Sequence, residues 1–237
     1  MIESFSAAAS ALAAQQQRMD ALANDTANVN TAGYRSDRTN FEDLAPRARG
    51  VRATQQGPST VQGALQPTGQ PLDLAVEGDG WFQVARPGAQ PALTRAGVFQ
   101  VDATGQMVTP AGERLVPPVR LPPGAGATTV RIESDGSVIV GGTRVAQIRL
   151  VTVPAPGQLQ PVGDGLYAPT AASGPPQPAP AGTAIRQGAL ESSNVDLVDT
   201  TTGTIEARTS FEAAAHVLRV QDEMLGALLD LRSSNNK

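Results

Sequence analysis

The chain has 237 residues, no cysteine, a single histidine and a formal net charge of −4. The lack of thiols excludes disulfides, zinc ribbons and cysteine nucleophiles, and the acidic balance argues against general nucleic-acid binding. Aromatic residues make up only 3%, so the expected core is thin and built mainly from Ala, Val and Leu.

The first element is a helix. MIESFSAAAS has neither a basic n-region nor a continuous apolar h-region, so a cleaved signal peptide is not the expected route out of the cytoplasm. Ile2, Phe5, Ala9, Leu12, Gln16, Met19 and Ala23 recur at alternating spacings of three and four. That spacing makes an a/d seam with one polar break at Gln16, over some 22 residues or about 33 Å. ALANDTANVNTAGYRSDR (21–38) follows. Its Asn, Asp and Thr side chains bond nearby backbone and end helices. Asn24, Asn28, Asn30, Gly33 and Tyr34 are therefore expected to form a junction over 24–35. Asn28 or Asn30, together with Gly33, would supply a left-handed turn there. A substitution at Gly33 is expected to act on assembly and to spare the rest of the chain. Arg35, Arg38, Arg47, Arg49 and Arg52 read either as a solvated linker or as a charge contact between subunits.

The middle changes period. All 19 prolines lie between Pro46 and Pro180. Short apolar runs recur between turn signals: LDLAV, WFQVA, VFQV, QMVT, TVRI, SVIV and QIRLVTV. FQVDATGQMV and VRIESDGSVIV read as hairpins. ASGPPQPAPAG (172–182) is a Pro-rich extended return. Ser193 and Asn194, in ESSNVDL, mark the second junction. A helix over 204–231 then carries Ala207, Phe211, Ala214, Leu218, Gln221, Leu225 and Leu228 at the same alternation, about 42 Å in length. Val217, Val220, Met224 and Leu229 widen its stripe.

The expected fold is α+β: amphipathic terminal helices pair as a coiled-coil-like inner domain around a central antiparallel all-β domain. The expected division is 1–35 with 190–237 for the helical domain, 36–71 as an extended connection, 72–171 for the β domain and 172–189 as the return. The assembly seam is read as Ile2, Phe5, Leu12 and Met19 on the first helix and Phe211, Leu218, Leu225 and Leu228 on the second. No apolar run reaches the roughly 18–20 residues of a membrane span, so membrane insertion is not expected.

Catalytic and ligand readings are weak. Glu77 and Asp79 fall in a Gly-rich turn. His216 has no histidine or cysteine partner for a metal. PPGAGATT lacks the P-loop lysine, and Asn24-Asp25-Thr26 is a glycosylation triplet short enough to arise by chance. Trp81 reads as core. No catalytic, cofactor or metal residue is assigned, and the chain is read as a non-enzyme. A β-domain binding or scaffold module with a helical oligomerisation stalk is the alternative.

ANDTANVNTAGYRSDRTNFEDL (23–44) resembles the N-terminal signature of the flagellar rod and hook family. ALESSNVDLVDTTTGTIEARTSFEAAAHVLRVQDEMLGALLDL (189–231) resembles that family's end. LDLAVEGDGWFQVA, LTRAGVFQVDATGQMVTPAGERLVPPV and LYAPTAASGPPQ resemble the body of its distal rod branch, with the proximal branch as the near alternative. Asp25, Thr26 and TTTGT at 200–204 depart from the family pattern. The resemblance implies a structural subunit of the bacterial flagellar basal body. It would be exported through the flagellar type III apparatus and polymerise with itself and with other rod and hook subunits into a hollow, torque-transmitting tube.

Overall fold

The computed structural model describes the backbone of residues 2–43 and 51–234, and within it the side chains of 7–37, 57–224 and 226–227. The architecture is α+β, with a helix at each end of an antiparallel β region. Two compact units divide the chain. One comprises helix α1 (Ile2–Ala27), the strand Asp37–Asp43, Val51–Pro58 as far as Gln56, and helix α2 (Leu197–Ser234). The other, the β body, comprises Asn28–Ser36 and Gly57–Val195.

Both helices outrun their sequence-based bounds, and in each the threonines of the added turns are satisfied within the helix. α1 continues through Asn24-Asp25-Thr26, where the Thr26 hydroxyl is satisfied within the helix by donating back to the Leu22 carbonyl at 2.8 Å. Asn24 is thus helical, not part of a turn. α2 begins seven residues before the expected start at 204. The Asp196 carboxylate accepts from the Val198 and Asp199 amides at 2.8 and 3.3 Å, an N-cap. The hydroxyls of Thr200, Thr201 and Thr204 each donate to the carbonyl four residues back, which keeps the Thr run helical.

α1 and α2 pack on each other. Arg18 pairs with Glu206 at 3.1 Å, and Leu22 lies against Gly203. Among the described residues the buried apolar positions of the two helices are small, Ala14 on α1 and Gly203 and Ala207 on α2, with Asp25 and Thr200 the buried polar ones. The small apolar positions let the helices approach closely.

The β body is built from short strands. Its largest sheet runs Gln160–Gly163, Leu166–Ala168, Ala92–Thr94, Trp81–Ala85, Arg114–Leu115, Met107–Val108, Gln100–Val101. Leu150–Thr152 joins Trp81–Ala85 and pairs with Gln177–Pro178. Val130–Ile132, Ser137–Val140 and Thr143–Gln147 form a meander, while Leu74–Glu77 pairs Ala184–Gln187 and Leu65–Pro67 pairs Ala189–Glu191. Both expected hairpins are present, with Val101 opposite Met107 and Val130 opposite Val140. Their turns close through aspartate. Asp102 Oδ1 accepts from the Thr104 hydroxyl and from the Thr104 and Gln106 amides, and the Thr104 hydroxyl in particular holds this carboxyl below its usual range. Asp135 does the same for Ser137.

Alternation along these strands fills two clusters. The larger centres on Leu74, Val76, Phe82, Val84, Phe99, Met107, Leu115 and Val138, with Phe82 and Phe99 edge to face at 5.2 Å. The smaller joins Trp81, Leu93, Val153, Leu159 and Tyr167. Leu74 is fully buried. Leu74→Ala should therefore lower the unfolding free energy of the β body by about 2–5 kcal/mol, measured by urea titration of Trp81 fluorescence.

Candidate functional site

The chain leaves the β body for the helical unit after Asn28–Ser36 and re-enters that unit after Val195. The two stretches lie side by side within the β body. The Gly33 amide donates to the Glu191 carbonyl at 2.7 Å, and the Ser36 amide donates to Asn194 Oδ1 at 2.8 Å. Asn194 Nδ2 donates to the Val61 carbonyl at 2.9 Å, and the Asn194 amide to the Tyr34 carbonyl at 3.4 Å. Ser193 closes a local turn by accepting from the Val195 amide at 3.2 Å. Tyr34, Gly33, Ser193 and Asn194 are thus brought together, whereas Asn30 is exposed in the turn and Asn28 accepts from Thr31 at 3.1 Å.

Of the residues proposed for a left-handed turn, only Gly33 adopts it, at φ +70°. Its surroundings correct the expectation that it acts on assembly alone. A Cβ there would overlap the Ala96 amide nitrogen and the Arg95 carbonyl. Gly33 is therefore part of the packing of the β body.

Beneath this junction lies an ion cluster that sequence reading missed. Arg35, Arg95 and Glu191 have side chains no more than 2% exposed. Glu191 Oε1 accepts from Arg35 Nη2 at 2.8 Å, Arg35 Nε at 3.1 Å and the Gly63 amide at 3.2 Å. Oε2 accepts from Arg95 Nη1 at 3.1 Å. The remaining prongs reach backbone carbonyls, Arg35 Nη1 to Ser59 at 3.1 Å and Arg95 Nη2 to Gly78 at 2.8 Å. Only Arg95 Nε, among the cluster's atoms, has no hydrogen-bond acceptor. Trp81 lies under both guanidinium groups, 5.7 Å from Arg35 and 5.3 Å from Arg95, so the core tryptophan also takes two cation–π contacts. Burial, and next the Arg35 charge, push the Arg95 guanidinium down to about 10 against the pull of Glu191. It remains charged at neutral pH.

Arg35 therefore serves neither as a solvated linker residue nor as a charge contact between subunits. It closes a bridge across 156 positions of sequence. No local pattern reveals such a partner. Arg38, Arg47, Arg49 and Arg52 lie outside the residues whose side chains are described.

The helix pair locates the other expected residues. Ile2, Phe5, Leu225, Leu228 and Leu229 lie outside the described side chains. Leu12, Met19, Phe211 and Leu218 are half-buried. On α1 the buried face is rotated from the expected seam. Ala9, Gln16 and Ala23 are exposed, and Gln15, not Gln16, carries the buried amide oxygen without a donor. The seam was read through the largest apolar side chains, but a close pair puts its small ones at the centre. Gln221, expected as the polar break on α2, also buries an oxygen without a donor.

α2 keeps apolar side chains in water. Val217, Val220 and Met224 are 49%, 40% and 58% exposed. At 100° per residue they lie roughly 100° around the helix from the Gly203–Ala207 face. Val198 and Ile205 are exposed on another side. His216 is exposed on α2, and Glu77 forms a surface pair with Arg186 at 3.1 Å.

A β body that packs its own chain junctions, together with a helix pair carrying unburied apolar stripes, defines a structural class of protein. Three family models match in chain order: Flagella basal body rod protein at 5–35, Flagellar hook protein FlgE/F/G D1 domain at 75–140, and Flagellar basal body rod FlgEFG protein C-terminal at 186–231. The flagellar basal-body rod protein FlgG of Caulobacter vibrioides is 33% identical over 264 residues, covering 98% of this chain and 100% of the relative. FlgG of Bacillus subtilis is 32% identical over 266 residues, with 98% and 100% covered. FlgF of Rhizobium meliloti is 28% identical over 230 residues, 92% of each chain. The chain belongs to the flagellar basal-body rod protein family, and its similarity to FlgG proteins runs over nearly its whole length. It is a structural subunit of the flagellar basal body and assembles with other rod and hook subunits. The end-to-end match leaves the non-flagellar scaffold reading without support.

Gly33→Val should destabilise the isolated chain, by about 1–3 kcal/mol for the left-handed backbone alone and more for the overlap with Arg95 and Ala96. Glu191→Ala strands two buried guanidinium groups and should cost about 3–5 kcal/mol. Urea unfolding of each variant checks both values.

Proposed function

We propose that the chain is a distal-type rod subunit whose terminal helices are its polymerisation element. α1 and α2, joined by copies from neighbouring subunits, would line a hollow tube through which export substrates pass, with the β bodies outside. On this reading the chain itself travels through the flagellar export apparatus before it polymerises.

The observation that carries the reading is the exposed stripe Val217, Val220 and Met224 on a helix whose other face is already occupied by α1. Each such side chain gains about 1.5–3 kcal/mol when fully buried, so contact between neighbouring copies has a driving force that the single chain leaves unused. The buried amide oxygens of Gln15 and Gln221, which lack donors, mark the same helices as an unfinished interior.

Val220→Lys and Met224→Lys test this. Both positions are exposed, so the soluble chain should keep its helix content and the melting temperature of its β body. Burying an unpaired charge costs several kcal/mol in each copy, so rods should be absent from basal bodies imaged in cells that carry only the variant. Normal rods in both variants would remove α2's stripe from the assembly.

A further inference from the structure

We propose that Glu191 is a positioning residue for assembly. Its one carboxylate fastens, inside the β body and before any neighbour is present, the two stretches through which the chain passes to its terminal helices. The inference rests on the polymerisation reading above.

The outgoing stretch carries Arg35, and the returning stretch carries Glu191 itself. Two N–H groups of the Arg35 guanidinium meet a single carboxylate oxygen of Glu191, at 2.8 and 3.1 Å. Hydrogen bonds flank this contact on both sides, from the Gly33 amide to the Glu191 carbonyl and from the Ser36 amide to Asn194 Oδ1. A third segment is drawn in through the Ser59 carbonyl and the Gly63 amide. An apolar cluster of the same volume would be as stable or more so. It would not fix register, because apolar contacts have no preferred direction, whereas a guanidinium fork on a carboxylate holds both partners at a set distance and angle. A subunit that meets its neighbours through long helices gains from having both points of chain passage set beforehand, since less freedom is then lost on association.

The cluster's charge makes the idea testable. Two guanidiniums share one carboxylate, so removal of either Arg leaves a neutral buried pair. The two differ in topology and in the number of bonds to Glu191, two from Arg35 and one from Arg95. Arg35 lies on a stretch that leaves the body, while Arg95 follows the interior strand Ala92–Thr94.

The experiment compares full-length Arg35→Met and Arg95→Met, each retaining the apolar stem. The emission of Trp81, the only tryptophan, reports that the body is folded. In Arg35→Met the Gly33, Ser36 and Asn194 amides should exchange at least about tenfold faster, while the amides of Trp81–Ala85 stay protected. Rods counted in basal bodies should fall by a similar factor. In Arg95→Met both quantities should stay within about threefold of the unmodified chain. A merely structural cluster would give the two variants the same profile, and that result overturns the proposal. So does an Arg35→Met chain with freely exchanging junction amides and a normal rod count, or one that loses protection throughout the sheet. If the unmodified chain forms no rods in the same cells, the polymerisation reading falls, and the assembly role of Glu191 falls with it. The exchange profiles, read on soluble chains, distinguish that outcome from failure of the clamp alone.

Discussion

One buried carboxylate sets the shape of the β body where the chain enters and leaves it. The Glu191 carboxylate accepts four hydrogen bonds, three of them on one oxygen, from the segments that carry Arg35, Gly63 and Arg95. A carboxylate shut away from water costs several kcal/mol unless donors surround it. Every segment that supplies a donor is therefore held in place together. The surplus positive charge is spread over the Trp81 face and towards Asp79, which lines the small cleft beside the cluster with Arg35 and Arg95. The junction's glycines follow from the same crowding. Gly33 and Gly63 pass so close to neighbouring backbone that neither has room for a side chain.

The helical unit follows the opposite logic. Its buried apolar positions are small, Ala14 on α1 and Gly203 and Ala207 on α2, with Leu22 lying against Gly203. Its larger apolar side chains are left at the flanks or in water. Such a pair gains little stability from its own burial and much from neighbours. The division suits a rod subunit of the proposed kind, with a body that packs its own core and helices whose exposed apolar stripe is left for neighbouring copies.

Much of the β body was legible from residue order. WFQVA at 81–85 and SVIV at 137–140 are strands at those bounds, and both aspartate-glycine turns close the hairpins they were read to close. The helices were legible in kind but not in extent. Asn24 was read into the junction and Thr200–Gly203 fell outside the expected helix, yet both stretches are helical, with threonine hydroxyls donating to carbonyls four residues back. The seam on α1 was read through Leu12 and Met19, which lie half-buried while the smaller Ala14 is buried. Periodicity weights side chains by size, whereas helix approach rewards the lack of it.

What residue order alone determined is everything governed by near neighbours: the periods of three to four and of two, the turns, the α+β class and the family signature at each end. What only the tertiary structure decided is which residues meet across long stretches of chain. Arg35 stands among other arginines and looks like one more solvated charge. Its partner lies 156 residues away, and nothing within a helical turn or a strand pair of Arg35 points to it. Pairing of this kind is set by how strands stack and which backbone groups they leave facing inward, so the ion cluster exists only once the sheets have closed over it.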